Sequence, residues 1–201
     1  MPMTLHHSPA SPFVRKVMAV AIIRGLDGQI ETVATNPHVS PEDLLAVNPL
    51  SKIPCLVLED GTAVFDSAVI CDVLDRMGDA PPLIPASGKE RTKVLVLEAL
   101  ADGIMDAAVA RRGLIGLPMD EGRTRADSRY KAAVQRGLAA IEPGSLSELH
   151  DLGAISVACA LGYLDFRFPH EPWREAHPAL ATWYEAVDVL PALSATRPPA
   201  A

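Results

Sequence analysis

The sequence predicts a small α/β domain followed by an all-helical domain. Up to residue 79, short apolar runs with strand character alternate with segments whose apolar residues recur at helical spacing. Residues 80–86 contain three prolines, a composition typical of a linker. Beyond this linker every apolar pattern has a helical period. We therefore expect an α/β domain over residues 1–79 and a helical domain over residues 87–201.

The composition limits the class of protein. Hydrophobic residues make up 49% of the 201 residues, which is enough for a packed core, and the net charge of −7 argues against nucleic acid as the main partner. No apolar run approaches the roughly 18–20 residues that cross a membrane, and the N-terminus has no signal-peptide pattern. The three cysteines lie in apolar stretches and match no metal-site spacing. We therefore expect reduced core thiols, no bound metal, no membrane partner and a cytoplasmic location.

Local signals predict the first elements. Residues 4–7 form a short strand, and the next helix begins at Ser11, a residue type favoured at the N-cap, with a proline at the first helical position. Gly25 ends this helix. Residues 29–34 form a second strand, which a helical crossover makes parallel to the first. A short helix follows over residues 41–46.

Residues 48–67 are the stretch around which this domain is organised. A cis bond at Ile53-Pro54, just before a strand, would turn the backbone N–H and C=O of Ile53 outward, where they can pair with an extended peptide. Asp60-Gly61 lies between two apolar runs and predicts a hairpin with a type I′ turn. Asp66-Ser67 then begins a helix that Gly78 closes.

The second domain contains four predicted helices. A long helix covers residues 87–114, and a break rich in glycine and proline separates it from a helix over residues 123–141. The run over residues 152–167 is apolar on nearly every side, so we expect it to be the buried central helix. A last helix covers residues 178–189.

Two hydroxyls lie in the loop between the first strand and the first helix. Ser11 can stabilise an anion, because its hydroxyl and the free N–H groups of the first helical turn point outward. A thiolate would be favoured there, since helix N-termini lower the thiol pKa below its ordinary value of about 8.5. Taken alone, Ser11 is better explained as an N-cap. Arg15 and Lys16 either serve an anion or form a solvated face, and we expect Lys16 in solvent.

The Asp66-Ser67 pair is open to the same two explanations. As a helix cap it is ordinary. As a ligand site, the Ser67 hydroxyl and the helix N–H groups would take a carboxylate and Asp66 would take an ammonium, so an α-amino acid head group suits both. The residues alone favour capping. The six histidines form no catalytic set with a serine or cysteine in the sequence.

Three motifs together resemble the N-terminal domain of cytosolic glutathione transferases. They are Ser-Pro-x-x-Arg-Lys at residues 11–16, Asn-Pro-x-x-Lys-Ile-Pro-x-Leu at 48–56 and Asp-Ser-x-x-Ile at 66–70. Residues 158–167 are similar to the central helix of a bacterial branch of this family, so the resemblance covers essentially the whole chain. The chain departs from the family at the start of that helix. There Asp151 can cap, but Ala154 replaces the reciprocal carboxylate of a capping box.

The resemblance implies a thioredoxin-like first domain, an all-α helical bundle as the second, and glutathione bound beside a cis-proline. It implies that the backbone of Ile53 pairs with the cysteinyl part of the tripeptide and that Asp66-Ser67 holds the γ-glutamyl head, which reverses the preference for a mere cap. Ser11 matches the thiolate-stabilising hydroxyl of serine-type members, with Ser8 as the alternative. The implied glutathione-binding residues are Ser11, Phe13, Lys52, Ile53, Pro54, Asp66 and Ser67.

The implied function is a glutathione transferase that activates the thiol for attack on a small hydrophobic electrophile. We expect an electrophile pocket formed by Phe13, Asp102, Met105, Asp106 and Arg111. No cysteine occupies residues 8–12, which disfavours chemistry through a mixed disulfide. A non-catalytic glutathione- or partner-binding protein of the same fold, and a glutathione-dependent lyase, isomerase or peroxidase, remain as alternatives. The family also implies a homodimer and a role in detoxification.

Overall fold

The computed structural model describes residues 2–199, which divide into two compact units. One unit runs up to Ala86 and includes the segment from Leu190 onward, and the other covers Ser87–Val189. The first unit contains the sheet, and the second is helical, as the sequence predicts. The segment after Leu190 differs from the prediction, which assigned all of residues 87–201 to the helical domain.

Within the described residues, the longest helices belong to the second unit. In chain order the helices are α1 Pro12–Ile23, α2 Glu42–Val47, α3 Ser67–Met77, α4 Gly88–Leu114, α5 Glu121–Ala139, α6 Leu152–Arg167, α7 Trp173–Ala176, α8 Pro178–Asp188 and α9 Pro191–Ser194. None of these helices combines the length and the apolarity that crossing a membrane requires.

The first unit is built on a four-stranded mixed sheet. Its strands are β1 Met3–His7, β2 Ile30–Ala34, β3 Cys55–Val57 and β4 Ala63–Val64, in the order β2-β1-β3-β4. β1 and β2 are parallel, which confirms the predicted crossover, and the other two pairs are antiparallel. Alternate residues of β1 fill the core because successive side chains point to opposite faces: Met3 and Leu5 are both 0% exposed.

Helix α1 is buried on more sides than its sequence period indicates. Both α3 and α9 pack on it. Arg15 is buried and donates from Nη2 to the carbonyl of Leu193 at 3.1 Å, and Lys16 is 0% exposed. The expectation of a solvated Lys16 is therefore wrong. The expectation fails because elements distant in sequence cover a face of α1 that is polar when the helix is considered alone.

The β3–β4 hairpin forms as predicted, but its turn is not type I′. A type I′ turn needs positive φ at both central residues. Among the described residues of the turn, only Gly61 has positive φ, at 85°. The Gly61 N–H donates to the Leu58 carbonyl and the Leu58 N–H donates to the Thr62 carbonyl, both at 2.9 Å. These bonds close a three-residue loop in which glycine holds the left-handed position.

Gly78 ends α3 for a reason other than a left-handed cap. Its φ is −82°, so any residue could adopt its backbone conformation. A Cβ at this position would lie 2.5 Å from the carbonyl oxygen of Arg24 and 2.8 Å from its Cβ. Glycine is required because the end of α1 approaches the end of α3 this closely.

A buried carboxylate lies beside this contact and joins three segments of the first unit. Asp75 accepts the N–H groups of Leu83 at 2.7 Å and Ile84 at 3.0 Å, and it pairs with Arg24 at 3.4 Å. Arg24 also donates to the backbone carbonyls of Asp75 and Gly78. Arg24 and Asp75 are 4% and 6% exposed, so each charge depends on the other for compensation.

The helical unit is organised around α6, as predicted. Thirteen of its sixteen residues are buried, from Leu152 through Leu164. Asp151 caps it by accepting the Ala154 N–H at 2.9 Å, and the hydroxyl of Ser147 donates to the second carboxylate oxygen at 2.6 Å. Helix α4 packs along α6 and also contacts α5.

We expect Asp75→Asn to lower the free energy of unfolding by roughly 3 kcal/mol or more, because it leaves the buried Arg24 guanidinium without a compensating charge. Asp72 on the same helix forms an exposed ion pair with Arg76 at 2.9 Å. Asp72→Asn should therefore cost only about 0.5 kcal/mol. Urea titrations of the two variants would show this difference, and equal losses would contradict it.

Candidate functional site

The register of the sheet brings the three predicted motifs to one end of the first unit. His6 of β1 lies opposite Cys55 of β3, and Leu56 of β3 lies opposite Val64 of β4. Because these pairs are antiparallel, the end of β1, the start of β3 and the end of β4 meet at the same edge of the sheet. The loop with Ser8 and Ser11 comes after β1, the Ile53-Pro54 segment comes directly before β3, and the Asp66-Ser67 pair comes shortly after β4.

The Ile53-Pro54 bond is cis, as the family resemblance implies. Pro54 is buried and Ile53 is half-buried. Within the described residues, neither the N–H nor the C=O of Ile53 takes part in a hydrogen bond. An extended peptide can pair with free backbone N–H and C=O groups of this kind, so the segment before β3 can accept a peptide strand.

Asn48 holds the loop that leads to this segment. Its side-chain amide donates to the Lys52 carbonyl at 2.8 Å and its side-chain oxygen accepts the Leu50 N–H at 3.0 Å. Asn48 is 1% exposed, whereas the side chain of Lys52 is exposed. This role of Asn48 is not among those predicted from the sequence. The Asn-Pro pair that marks a turn was the available signal.

Asp66 and Ser67 begin α3. Asp66 is exposed and its carboxylate caps the helix by accepting the Ala68 N–H at 3.1 Å. Ser67 is the first helical residue and is 4% exposed. Its hydroxyl forms no hydrogen bond with any other residue in the part of the chain that the structure describes. The pair therefore offers a carboxylate, a hydroxyl and the N–H groups of a helix N-terminus together.

Ser11 is the N-cap of α1, and its oxygen accepts the Val14 N–H at 3.3 Å. Its hydroxyl hydrogen is still available for donation, because a serine hydroxyl is both donor and acceptor. Ser8 lies earlier in the loop, where its oxygen accepts the Ala10 N–H at 3.4 Å. Only Ser11 lies at the positive end of a helix dipole, so it is the better placed of the two to stabilise an anion. Phe13 follows it in the first turn and is half-buried.

Comparison with known proteins identifies the same family as the sequence motifs do. The family model of the glutathione S-transferase N-terminal domain matches residues 10–77, and that of the C-terminal domain matches residues 120–186. The uncharacterized GST-like protein YibF of Escherichia coli (strain K12) is 32% identical over 204 residues, which cover 99% of this chain and 100% of that protein. The chain belongs to the glutathione S-transferase family.

Solved structures of the family have the same fold. A glutathione transferase family member from Pseudomonas fluorescens Pf-5 with bound glutathione has a TM-score of 0.92 and 43% identity, covering 98% of this chain and 99% of that one. A structure from the same organism with bound S-(propanoic acid)-glutathione has a TM-score of 0.87 and 43% identity, covering 98% and 100%. The predicted family and fold class are therefore confirmed.

The residues predicted for the electrophile pocket differ in their exposure to solvent. Asp106 is exposed and Asp102 is half-buried. Met105 is 0% exposed, so it presents no open surface. Arg111 is only 5% exposed, which also differs from the expectation that it lines an open pocket. Its guanidinium is held by several groups of the helical unit.

Those groups form a charge cluster around Arg111. Its Nη2 lies 2.7 Å from a carboxylate oxygen of Glu171 and its Nε lies 3.0 Å from Asp127, while the guanidinium covers the Phe168 ring at 4.4 Å. Hydrogen bonds from Arg111, with a smaller opposing effect of burial, lower the pKa of Glu171, and Lys131 lowers it further. Arg111 is therefore compensated by carboxylates of its own unit.

The described residues include no group of three or more histidine, cysteine, aspartate or glutamate side chains placed to hold a metal ion. The histidine nearest the three motifs in sequence is His7, the last residue of β1. Burial lowers the pKa of His7 below its ordinary value of 6.5. The imidazole is therefore neutral at pH 7, so it supplies no positive charge to the adjoining loop.

The lowered pKa of His7 predicts a pH dependence of stability. Between the folded-state pKa and 6.5 the unfolded chain binds more protons, so the contribution of His7 to the free energy of unfolding falls as the pH drops through this window. His7→Gln should remove that part of the dependence in denaturant titrations. An NMR titration midpoint for His7 at or above 6.5 would contradict the prediction.

Proposed function

We propose that the chain is a glutathione transferase that activates the thiol of glutathione for attack on a small electrophile. The observation that supports this most directly is the meeting, at one sheet edge, of the Ile53 backbone before cis-Pro54 and the Asp66-Ser67 start of α3. Glutathione has an extended backbone with an α-amino acid head. The Ile53 backbone suits the extended backbone of glutathione, and the Asp66-Ser67 helix start suits its α-amino acid head.

In this proposal each segment of the edge has one task. The N–H and C=O of Ile53 pair with the cysteinyl residue, and Pro54 fixes the direction of that backbone. The hydroxyl of Ser67 and the α3 N-terminus bind the γ-glutamyl carboxylate, while Asp66 pairs with its ammonium. Lys52, whose side chain is exposed, meets the glycyl carboxylate. Relatives that are 43% identical have been solved with glutathione and with S-(propanoic acid)-glutathione bound, which supports the same ligand class here.

Ser11 supplies the chemistry. Its hydroxyl donates a hydrogen bond to the glutathione sulfur, and the N-terminus of α1 adds positive potential, so the thiol loses its proton to solvent at a lower pH. The sulfur lone pair then forms a bond to an electrophilic carbon. The leaving group departs with the bonding electron pair or, in a ring opening, the ring oxygen takes the pair and then a proton. Phe13, in the first turn of the same helix, is proposed to contact the electrophile.

A second candidate is a non-catalytic glutathione-binding protein. The N-cap bond from Val14 to Ser11 favours it, because capping alone is a sufficient reason for a serine at this position. Both candidates bind glutathione. Only the transferase needs the Ser11 hydroxyl to change the thiol pKa. The homodimer and the role in detoxification that the family resemblance implies are proposals of the same kind.

We expect Ser67→Ala to weaken glutathione binding by roughly 10- to 100-fold, since it removes a hydrogen bond to a charged carboxylate. Isothermal titration calorimetry would measure this. Ser87 is a matched control, because it is the N-cap of α4, is exposed and makes no capping hydrogen bond through its side chain. Ser87→Ala should bind as the unaltered chain does, and absence of binding by the unaltered chain would refute the assignment.

We expect Ser11→Ala to bind glutathione within a few-fold of the unaltered chain and to raise the pKa of the bound thiol by about one to two units, which is the loss of one charge-assisted hydrogen bond. The ultraviolet absorbance of the bound thiolate, followed against pH, gives this pKa. Ser11→Thr keeps a hydroxyl and should keep the low value. Ser8→Ala is the matched control, and a shift in Ser8→Ala alone would assign the role to Ser8 instead.

A further inference from the structure

Asn48 holds one loop with both its backbone and its side chain. It ends α2, where its N–H donates to the Leu44 carbonyl at 2.7 Å and its carbonyl accepts the Ser51 N–H at 3.0 Å. Its side-chain oxygen accepts the Leu50 N–H at 3.0 Å, and its amide nitrogen donates to the Lys52 carbonyl at 2.8 Å. Since Asn48 is 1% exposed and Leu44 is 0% exposed, these bonds connect the loop to a helix that is anchored in the core.

The bond to Lys52 controls the direction of the Ile53 N–H. The Lys52 carbonyl and the Ile53 N–H belong to one peptide unit, which is planar and trans, so the two groups point in opposite directions. Holding the carbonyl toward Asn48 therefore directs the N–H away from it. The same bond makes the N–H a stronger donor, because hydrogen bonds in a chain polarise one another. The Ile53 N–H is thus aimed and polarised by the Asn48 amide before any ligand binds.

Ser51 fixes the same loop to a second segment. Its φ is 50°, in the left-handed region where residues other than glycine are uncommon. Its hydroxyl donates to the carbonyl of Pro37 at 3.0 Å, although the two residues are 14 positions apart in the sequence. A backbone conformation of this kind persists only where the surrounding structure holds it, and it is found preferentially at functional sites. Two side chains therefore keep the loop in one conformation.

We propose that Asn48 and Ser51 are positioning residues for glutathione, which hold the Ile53 N–H in line with the cysteinyl carbonyl of the tripeptide. Neither side chain contacts the ligand in this proposal. A loop that is ordered beforehand loses little conformational freedom on binding, so the hydrogen bond to the ligand is stronger in net terms. This inference rests on the proposed function and specifies how the cysteinyl part is recognised. If the two side chains only stabilised the fold, their removal would not change which part of the ligand is recognised.

Two ligands that differ in the cysteinyl carbonyl test the proposal. γ-Glutamylcysteine amide carries this carbonyl, and γ-glutamylcysteamine has hydrogen in place of the carboxamide. Both keep the γ-glutamyl head and the thiol. We expect the unaltered chain to bind the amide about 5- to 10-fold more tightly, because one hydrogen bond between neutral groups distinguishes the two. Titrations followed by NMR give both dissociation constants.

Asn48→Asp should reduce this preference to less than about twofold, since a carboxylate accepts the Leu50 N–H but has no donor for the Lys52 carbonyl. The affinity for γ-glutamylcysteamine should stay within a few-fold, and it reports the fold of the variant. Asn36→Asp is the matched control. Asn36 is exposed and holds a different turn of the same unit by accepting the His38 N–H at 3.1 Å, so the same change of charge should leave the full preference.

Ser51→Gly is a second variant that buries no charge. Glycine adopts a φ of 50° without steric cost, so this variant should fold, but it loses the hydroxyl that donates to the Pro37 carbonyl. We expect its preference for the amide to fall by at least about twofold, because the loop is then held by Asn48 alone.

The outcomes distinguish this inference from the function on which it rests. A preference that survives in Asn48→Asp, or in Ser51→Gly if the first variant does not fold, would overturn the positioning role and leave the glutathione site intact. An unchanged preference in Ser51→Gly alone would remove Ser51 from the pair. Equal affinity of the unaltered chain for both ligands, with glutathione bound, would overturn the inference as well. If the unaltered chain bound neither ligand, nor glutathione itself, the proposed function would be refuted and this inference with it.

Discussion

The buried carboxylate of Asp75 is the constraint on which the first unit depends. A charge removed from water must be compensated, and here Arg24 at the end of α1 and the N–H groups of Leu83 and Ile84 provide that compensation. The Asp75 side chain therefore fixes α3 to the end of α1 and to residues 83–84, which follow α3 in the chain. Gly78 is part of the same arrangement, because no larger residue fits against the Arg24 backbone. The position of α3 matters for the proposed glutathione site, since the opposite end of this helix carries Asp66 and Ser67.

Helix starts serve two purposes in this unit. Ser11 and Asp66 each satisfy a backbone N–H of the helix they cap, which stabilises α1 and α3. Capping leaves other donors and acceptors of the same turn available, because one side-chain bond satisfies only one of the free N–H groups at a helix start. The proposed ligand site thus consists largely of groups that the fold already requires. This is the physical reason that the same residues are explained equally well as caps when the sequence is considered without its tertiary structure.

The helical unit shows how charge is divided at one helix end. The dipoles of α4 and α6 favour cations at their adjoining C-termini. Arg111 is buried and is balanced by Glu171 and Asp127, so it belongs to the interior of the unit. Arg112 and Arg167 are placed by the same electrostatic preference but keep donors that no carboxylate of the described chain occupies. Two arginines that are neighbours in sequence therefore differ in burial and in charge compensation.

The sequence by itself determined the features that depend on nearby residues. It predicted the strands and every helix except the four-residue α7 and α9, the parallel pairing of β1 with β2, the Asp151 cap and the buried central helix, because propensity, capping and hydrophobic period act over a few residues. The cis bond before Pro54 was implied by the family resemblance. The sequence also indicated each motif of the candidate site. The type of the hairpin turn was predicted wrongly, since Asp60-Gly61 is compatible with more than one loop length.

Tertiary structure alone decided which polar residues are buried and what they contact. Lys16, Arg15 and Arg111 look solvated or available in the sequence, yet all three are buried. Arg15 bonds to Leu193, which is 178 residues away, and that contact places the C-terminal segment with the first unit rather than the helical one. The role of Asn48 depends likewise on packing. The burial of a polar group is set by the elements that cover it, and no local pattern records which distant element that is.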